Sequence, residues 1–291
     1  LLSSFACAIP GIVASRTISD PRDRLTTIFV APLMTCSARL PVYALLIAAF
    51  IPEQTVWGIF NLQGLVLFAL YMAGIVSALC VSFVLKFFQK DKSQHMLMME
   101  LPSYRFPDLK NIWIGLLDRA KIFLRRVGGI IFALSILLWF LCTFPQAPEG
   151  ATLPEIDYSF AGMLGHLLQP IFAPLGFNWQ ICIALIPAMA AREVVVAALG
   201  TVYALSAVDE DAMSQGLASL ISSGGELGWS VATGLSLLVW FIYAPHCLAT
   251  LATVKRETGS WKTVSFMTIY LFGLAYLMSF LTYQIATHYL G

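Results

Sequence analysis

QICIALIPAMAAREVVVAALGTVYAL, Gln180 to Leu205, has the length and apolarity of a membrane-crossing helix, yet it carries Pro187 in its first half and Arg192-Glu193 near its middle. On insertion scales each charge near the bilayer centre costs about 2.5 to 3.5 kcal/mol, so two adjacent ones persist only where they face protein, water or a solute. Pro187 has no amide proton to donate and releases the carbonyl of Ile183, which puts a polar backbone step just before the carboxylate. If the part after the proline is helical, the Glu193 face carries Met189, Ala190, Ala197, Gly200 and Thr201, mostly small groups that let a second helix come close. An acid beside a broken helix is the arrangement of a transport site. The alternative is a structural salt bridge tying two helices together.

Outward from this stretch, composition sets the class. With 59% apolar residues, 11% charged residues and mean hydropathy +0.81 over 291 residues, the chain cannot be a soluble domain with a polar surface. It reads as a polytopic membrane protein. A net charge of +1 gives no reason to expect a nucleic-acid partner. The chain begins at Leu1 inside an apolar run with no basic region before it, so it reads as a fragment opening within a truncated span, not as a signal peptide. All six cysteines, Cys7, Cys36, Cys80, Cys142, Cys182 and Cys247, lie in apolar segments without a C-x-x-C pair, which argues against a disulfide framework. Cys80, Cys142 and Cys182 read as small hydrophobes.

Eight apolar segments can be drawn: 1–14, 26–51, 60–85, 124–144, 160–177, 180–205, 230–254 and 263–288. The fold class is therefore all-α, a polytopic transmembrane bundle with broken helices. Fifteen of the 17 basic residues fall in the loops after the first segment, before the fourth and before the last, which marks those loops as cytoplasmic. The loops with Glu53, with Glu149, Glu155 and Asp157, and with Asp209, Glu210, Asp211 and Glu226 contain no Lys or Arg and read as external. Alternation then requires 160–205 to start and end outside, as two spans or as a re-entrant excursion. Between Leu109 and Arg125, apolar residues on one side and charges on the others predict an amphipathic interfacial helix, with a plain connector as the alternative.

The two remaining basic residues, Arg39 and Arg192, lie inside spans. Arg39 belongs to APLMTCSARLPVY, Ala31 to Tyr43, where Pro32 and Pro41 bracket Cys36 and interrupt the backbone ladder twice. Arg39 is a candidate partner for Glu193. A weak internal echo links Ile9-Pro10 and Arg16 to Ile186-Pro187 and Arg192, and Ala31-Pro32 and Cys36 to Ala244-Pro245 and Cys247, as in transporters with duplicated halves.

CAIPGIVASRT (Cys7 to Thr17), APLMTCSARLPVYALL (Ala31 to Leu46), MELPSYRFPDLKN (Met99 to Asn111), AREVVVAALGTVY (Ala191 to Tyr203) and CLATLATVKRETGSWK (Cys247 to Lys262) together resemble the membrane region of the ferrous iron transport protein B family. The resemblance implies a multi-pass inner-membrane transporter of Fe2+ with two Gate-type units and a cytosolic N-terminal GTPase domain outside this chain. It divides the chain into the end of a first Gate unit (1–51), a C-terminal-type region with the cytoplasmic interfacial segment (52–122), a second Gate unit (123–259) and a final transmembrane helix (260–291).

By the same resemblance the metal-contacting residues are Cys7, Cys36, Glu193 and Cys247; Arg39, Met189, Arg192 and His246 are read as accessory path residues from their own places in the spans. Thiol and carboxylate suit Fe2+, a borderline ion whose passage requires weak, replaceable sites. His246 reads either as an extra ligand or as a satisfied core histidine. No cofactor is expected to be bound permanently; GTP and Mg2+ belong to the absent GTPase domain, since no G-x-x-x-x-G-K-[ST] loop occurs here. This part is therefore not expected to be an enzyme. The expected partners are the lipid bilayer, Fe2+, the GTPase domain, small cytosolic Feo accessory proteins and further copies of the chain. The rivals are a Gate-type transporter of another divalent metal or a nucleoside-like solute, and a structural membrane subunit. An intramembrane metalloprotease is disfavoured by the missing H-E-x-x-H.

Overall fold

The computed structural model describes residues 2–51, 55–56, 60–88, 108–145, 158–189, 192, 194–196, 198–199 and 230–290. These are almost entirely helical, as the all-α expectation requires. The exception is a two-residue antiparallel ladder, β1 (Thr55–Val56) and β2 (Phe60–Asn61), with Thr55 opposite Asn61. The helices used below are α1 (Ala8–Ala14), α2 (Pro21–Val30), α3 (Leu40–Phe50), α4 (Leu62–Phe88), α5 (Leu109–Thr143), α6 (Phe160–Phe172), α7 (Trp179–Ala188), α8 (Val231–Tyr243), α9 (Leu248–Thr258) and α10 (Trp261–Leu290).

Short polar side chains explain where several of these helices begin, because each accepts an amide that the first turn leaves unpaired. Asp20 takes the Arg22 amide at the start of α2, with Pro21 at the position where a missing amide costs nothing. Ser159, Asn178 and Ser230 do the same for α6, α7 and α8. Left-handed glycines Gly176 and Gly259 turn the chain after α6 and α9.

Pro21–Ala48, Leu62–Phe87 and Trp261–Tyr289 are each long and apolar enough to cross a membrane. The first is interrupted as Pro32 and Pro41 suggested: α2 passes into a 3-10 turn at Ala31–Leu33, the chain extends through Cys36, and a second 3-10 turn at Ser37–Arg39 leads into α3. The stretch 230–254 is also discontinuous. α8 ends at Tyr243, since Pro245 cannot donate to its ladder, and the chain restarts as α9 at Leu248. The helical run Phe160–Leu175 meets α7 at a bend of 100°. That closeness needs Gly165, where a Cβ would stand 2.8 Å from Ile183 Cγ1 and 2.9 Å from the Trp179 carbonyl. Leu109 to Arg125 is helical and forms the first half of α5, which continues unbroken to Thr143 because no proline separates the amphipathic part from the apolar one.

α8 is the axis of the bundle. Ala232, Leu237, Leu238, Trp240, Phe241 and Ile242 are all buried, so neighbours cover it on all but the face of Val231, Leu235 and Val239. It packs along α10, where Ser236 Oγ donates to the Ser279 carbonyl at 3.2 Å and Ser279 Oγ returns a bond to the Ser236 carbonyl at 3.0 Å. Gly234 admits the ring of Phe50 from α3. α4 instead exposes Phe68, Leu79 and Phe83, a face suited to lipid.

Candidate functional site: cysteines at helix breaks

Each of the three motif cysteines is the extended residue immediately before a helical turn. Cys7 (φ −158°, ψ 138°) precedes α1, Cys36 (φ −88°, ψ 159°) precedes the turn Ser37–Arg39, and Cys247 (φ −162°, ψ 97°) precedes α9. Prolines create the latter two breaks from the sequence upward: Pro32 and Pro245 stop one ladder, and the next starts a few residues on. Cys36 thus falls well inside its apolar segment, whereas Cys247 lies nearer the C-terminal end of its own.

Two sets of hydrogen bonds draw these breaks together. Ser37 Oγ donates to the Ala6 carbonyl at 3.0 Å, which joins the residue after Cys36 to the residue before Cys7. Arg192 reaches across from beyond α7: Nε donates to the His246 carbonyl at 3.2 Å, Nη2 to the Ala244 carbonyl at 3.2 Å, and Nη1 stands 3.9 Å from Cys36 Sγ. α1 packs against α9, and Cys7 lies within electrostatic range of Cys36, Cys247 and Arg192. The structure therefore brings Cys7, Cys36, Cys247 and Arg192 into one neighbourhood. Glu193 lies outside the described residues. Among the described residues no three His, Cys, Asp or Glu side chains form a cluster that could hold a metal ion.

Arg39 has another set of partners. It is buried and donates to the carbonyls of Pro32 (3.0 Å), Met34 (3.3 Å) and Leu33 (3.4 Å), the last ones before Cys36. Arg192 likewise donates to two carbonyls shortly before Cys247, those of Ala244 and His246. Neither guanidinium pairs with a carboxylate among the described residues. Both stand beside a break between helices.

His246 is buried between Trp240 and Phe241, with ring centroids at 6.3 and 5.0 Å, and neither ring nitrogen has a hydrogen-bond partner among the described residues. Met189 is half-buried at the end of α7. Cys80 is exposed on α4, whereas Cys142 and Cys182 are buried; all six thiols are free. Around Cys36 the structure adds groups that residue patterns did not reveal. Thr35 Oγ1 and Tyr43 Oη are buried without partners among the described residues, and Tyr71 lies within electrostatic range of Cys36. Gly74, whose Cβ would stand 2.6 Å from Thr35 Oγ1, is the only local clue that α4 comes so close.

Residues 67–119 match a family described as the ferrous iron transport protein B C terminus, and residues 124–261 match the Gate family, described as nucleoside recognition. The chain is 39% identical to the Fe(2+) transporter FeoB of Leptospira interrogans over 98% of its own length and 42% of the relative's. It is 33% identical to that of Campylobacter jejuni, over 98% of this chain and 46% of the relative. With an Fe(2+) transport protein A/Fe(2+) transporter FeoB fusion protein of Porphyromonas gingivalis it shares 35% identity, over 98% and 37%. The chain thus spans less than half the length of these relatives. No solved structure matches it. Two family matches in sequence order and relatives aligned along nearly the whole chain place it in the ferrous iron transport protein B family, as a C-terminal membrane part.

Proposed function

We propose that this chain is the permeation part of an Fe2+ transporter of the inner membrane. Fe2+ enters from the acidic outer loops, exchanges water for the thiols of Cys7, Cys36 and Cys247 and the Glu193 carboxylate, and leaves at the basic cytoplasmic face. The observation that carries this reading is that the helix breaks at Cys7, Cys36 and Cys247 lie in one neighbourhood. Thiolate sulfur binds Fe2+ as a borderline ion, and separate single ligands release it more readily than a closed tetrahedral cage would. The part has no catalytic role of its own; a GTPase domain elsewhere in the full-length protein regulates it. The Porphyromonas gingivalis fusion supports a small accessory protein as a further partner.

The test is Fe2+ accumulation in liposomes carrying the full-length protein. Cys36→Ser and Cys247→Ser lower the initial rate by about tenfold or more, in line with the loss of a metal-contacting group, whereas Cys80→Ser leaves it unchanged. Uptake that survives both motif substitutions refutes the route. A second reading, transport of a nucleoside-like solute, rests on the description of the Gate match. Saturable nucleoside uptake in the same vesicles, insensitive to Cys36→Ser, would favour it.

A further inference from the structure

The arginine that joins two of the cysteine breaks occupies a ready-made cation site. Three electron-pair donors converge on its guanidinium: Cys36 Sγ at 3.9 Å from Nη1, the Ala244 carbonyl at 3.2 Å from Nη2 and the His246 carbonyl at 3.2 Å from Nε. Arg192 is buried, and no carboxylate among the described residues neutralises it. The two carbonyls lie in the non-helical link just after α8. The imidazole of His246, on the same turn, and the hydroxyls of Tyr43 and Thr35 on the Cys36 side have no hydrogen-bond partner among the described residues. Sulfur plus backbone carbonyls is a donor set that a partly dehydrated divalent cation can also use.

From this we infer that Arg192 is a tethered cation filling the station formed by Cys36 Sγ and the Ala244 and His246 carbonyls, and that an incoming divalent cation passes only when the guanidinium yields those donors. One set of donors cannot serve both charges together, so the arginine excludes cargo until the helix breaks shift. Arg192 is a gating residue here, not a ligand. The inference rests on the proposed route through Cys36.

Two measurements on the full-length protein test it. In native protein, conversion of Cys36 to a mixed disulfide, with release of methanesulfinate, is followed by peptide mass spectrometry with an anionic and a cationic methanethiosulfonate of similar size. With the guanidinium beside the thiol, the anionic reagent reacts about tenfold faster; Arg192→Gln abolishes this preference, and Arg192→Lys keeps part of it. In liposomes, Arg192→Gln raises nucleotide-independent Fe2+ uptake by about fivefold or more and admits Mn2+ alongside it. Equal labelling by both reagents in the native protein overturns the inference, even if Arg192→Gln does not fold. Unchanged uptake and selectivity in a folded Arg192→Gln overturn it too. If Cys36→Ser transports normally, the route itself fails; if only Cys36→Ser is impaired, the route stands and the tether falls.

Discussion

Arg16 and Glu257, 241 positions apart, form a two-pronged ion pair: Nε to Oε2 at 2.7 Å and Nη2 to Oε1 at 2.6 Å. Arg24 joins from α2, with Nη2 3.2 Å from Oε2 and 3.3 Å from the Glu257 carbonyl. Covered by these arginines, the Glu257 side chain keeps 2% of its exposure. α1 and α9 start at Cys7 and Cys247 and end near this cluster, so the ion pair fixes how far apart two of the thiols can stand.

Glu257→Gln removes the charge that three arginines share and lowers the unfolding midpoint in detergent by a few degrees. A paired exchange, Arg16→Glu with Glu257→Arg, restores part of the loss. A thermal melt monitored by tryptophan fluorescence checks both, and non-additivity between the two single variants measures the coupling.

The same carboxylate gives a pH signature. Hydrogen bonds from Arg16, and then the charges of Arg16, Arg24 and Arg256, hold Glu257 below the ordinary carboxylate value of 4.5. Its folded pKa being depressed, the stabilisation is fully present above pH 4.5 and is lost as pH falls through the lowered value. Native protein and Glu257→Gln therefore differ in midpoint by a constant amount from pH 7 to 5, and the difference shrinks in more acid buffer. A constant difference down to pH 3 would contradict this assignment.

Arg39→Ala strips the Pro32, Leu33 and Met34 carbonyls of their donor inside the bundle and costs about 2 to 4 kcal/mol. Arg39→Lys recovers less than half, since a single ammonium cannot span three carbonyls as a planar guanidinium does. Denaturation in mixed micelles compares the two. Equal stability of the lysine variant and the native protein would show that charge alone suffices.

Gly176→Ala forces a left-handed residue to carry a Cβ directed into the ring of Tyr283. Backbone strain and overlap together cost about 2 to 4 kcal/mol. Adding Tyr283→Ala relieves the overlap but not the strain, so the double variant regains only part of the stability that Tyr283→Ala alone retains.

Much of this protein is legible in one dimension because a membrane makes strict demands on backbone hydrogen bonding. Apolar runs of fixed length announce helices, and Pro32, Pro41 and Pro245 announce where those helices break. Cys36 and Cys247 stand at such breaks for that local reason. Other features have no local signal. Nothing near Arg39 says that it bonds to carbonyls five to seven residues behind it, and α5 shows that a change from amphipathic to apolar patterning does not itself end a helix.

The sequence by itself determined the helical membrane class, the breaks and the identity of the thiols beside them, since each follows from transfer energy or from a proline's missing amide over a few neighbouring residues. Only the tertiary structure decided that Arg192 binds the carbonyls just after α8 beside Cys36, that Arg16 meets Glu257, and that His246 has no hydrogen-bond partner among the described residues. Those relationships join residues tens to hundreds of positions apart, and packing around α8 sets their distances, which no periodicity along the chain encodes.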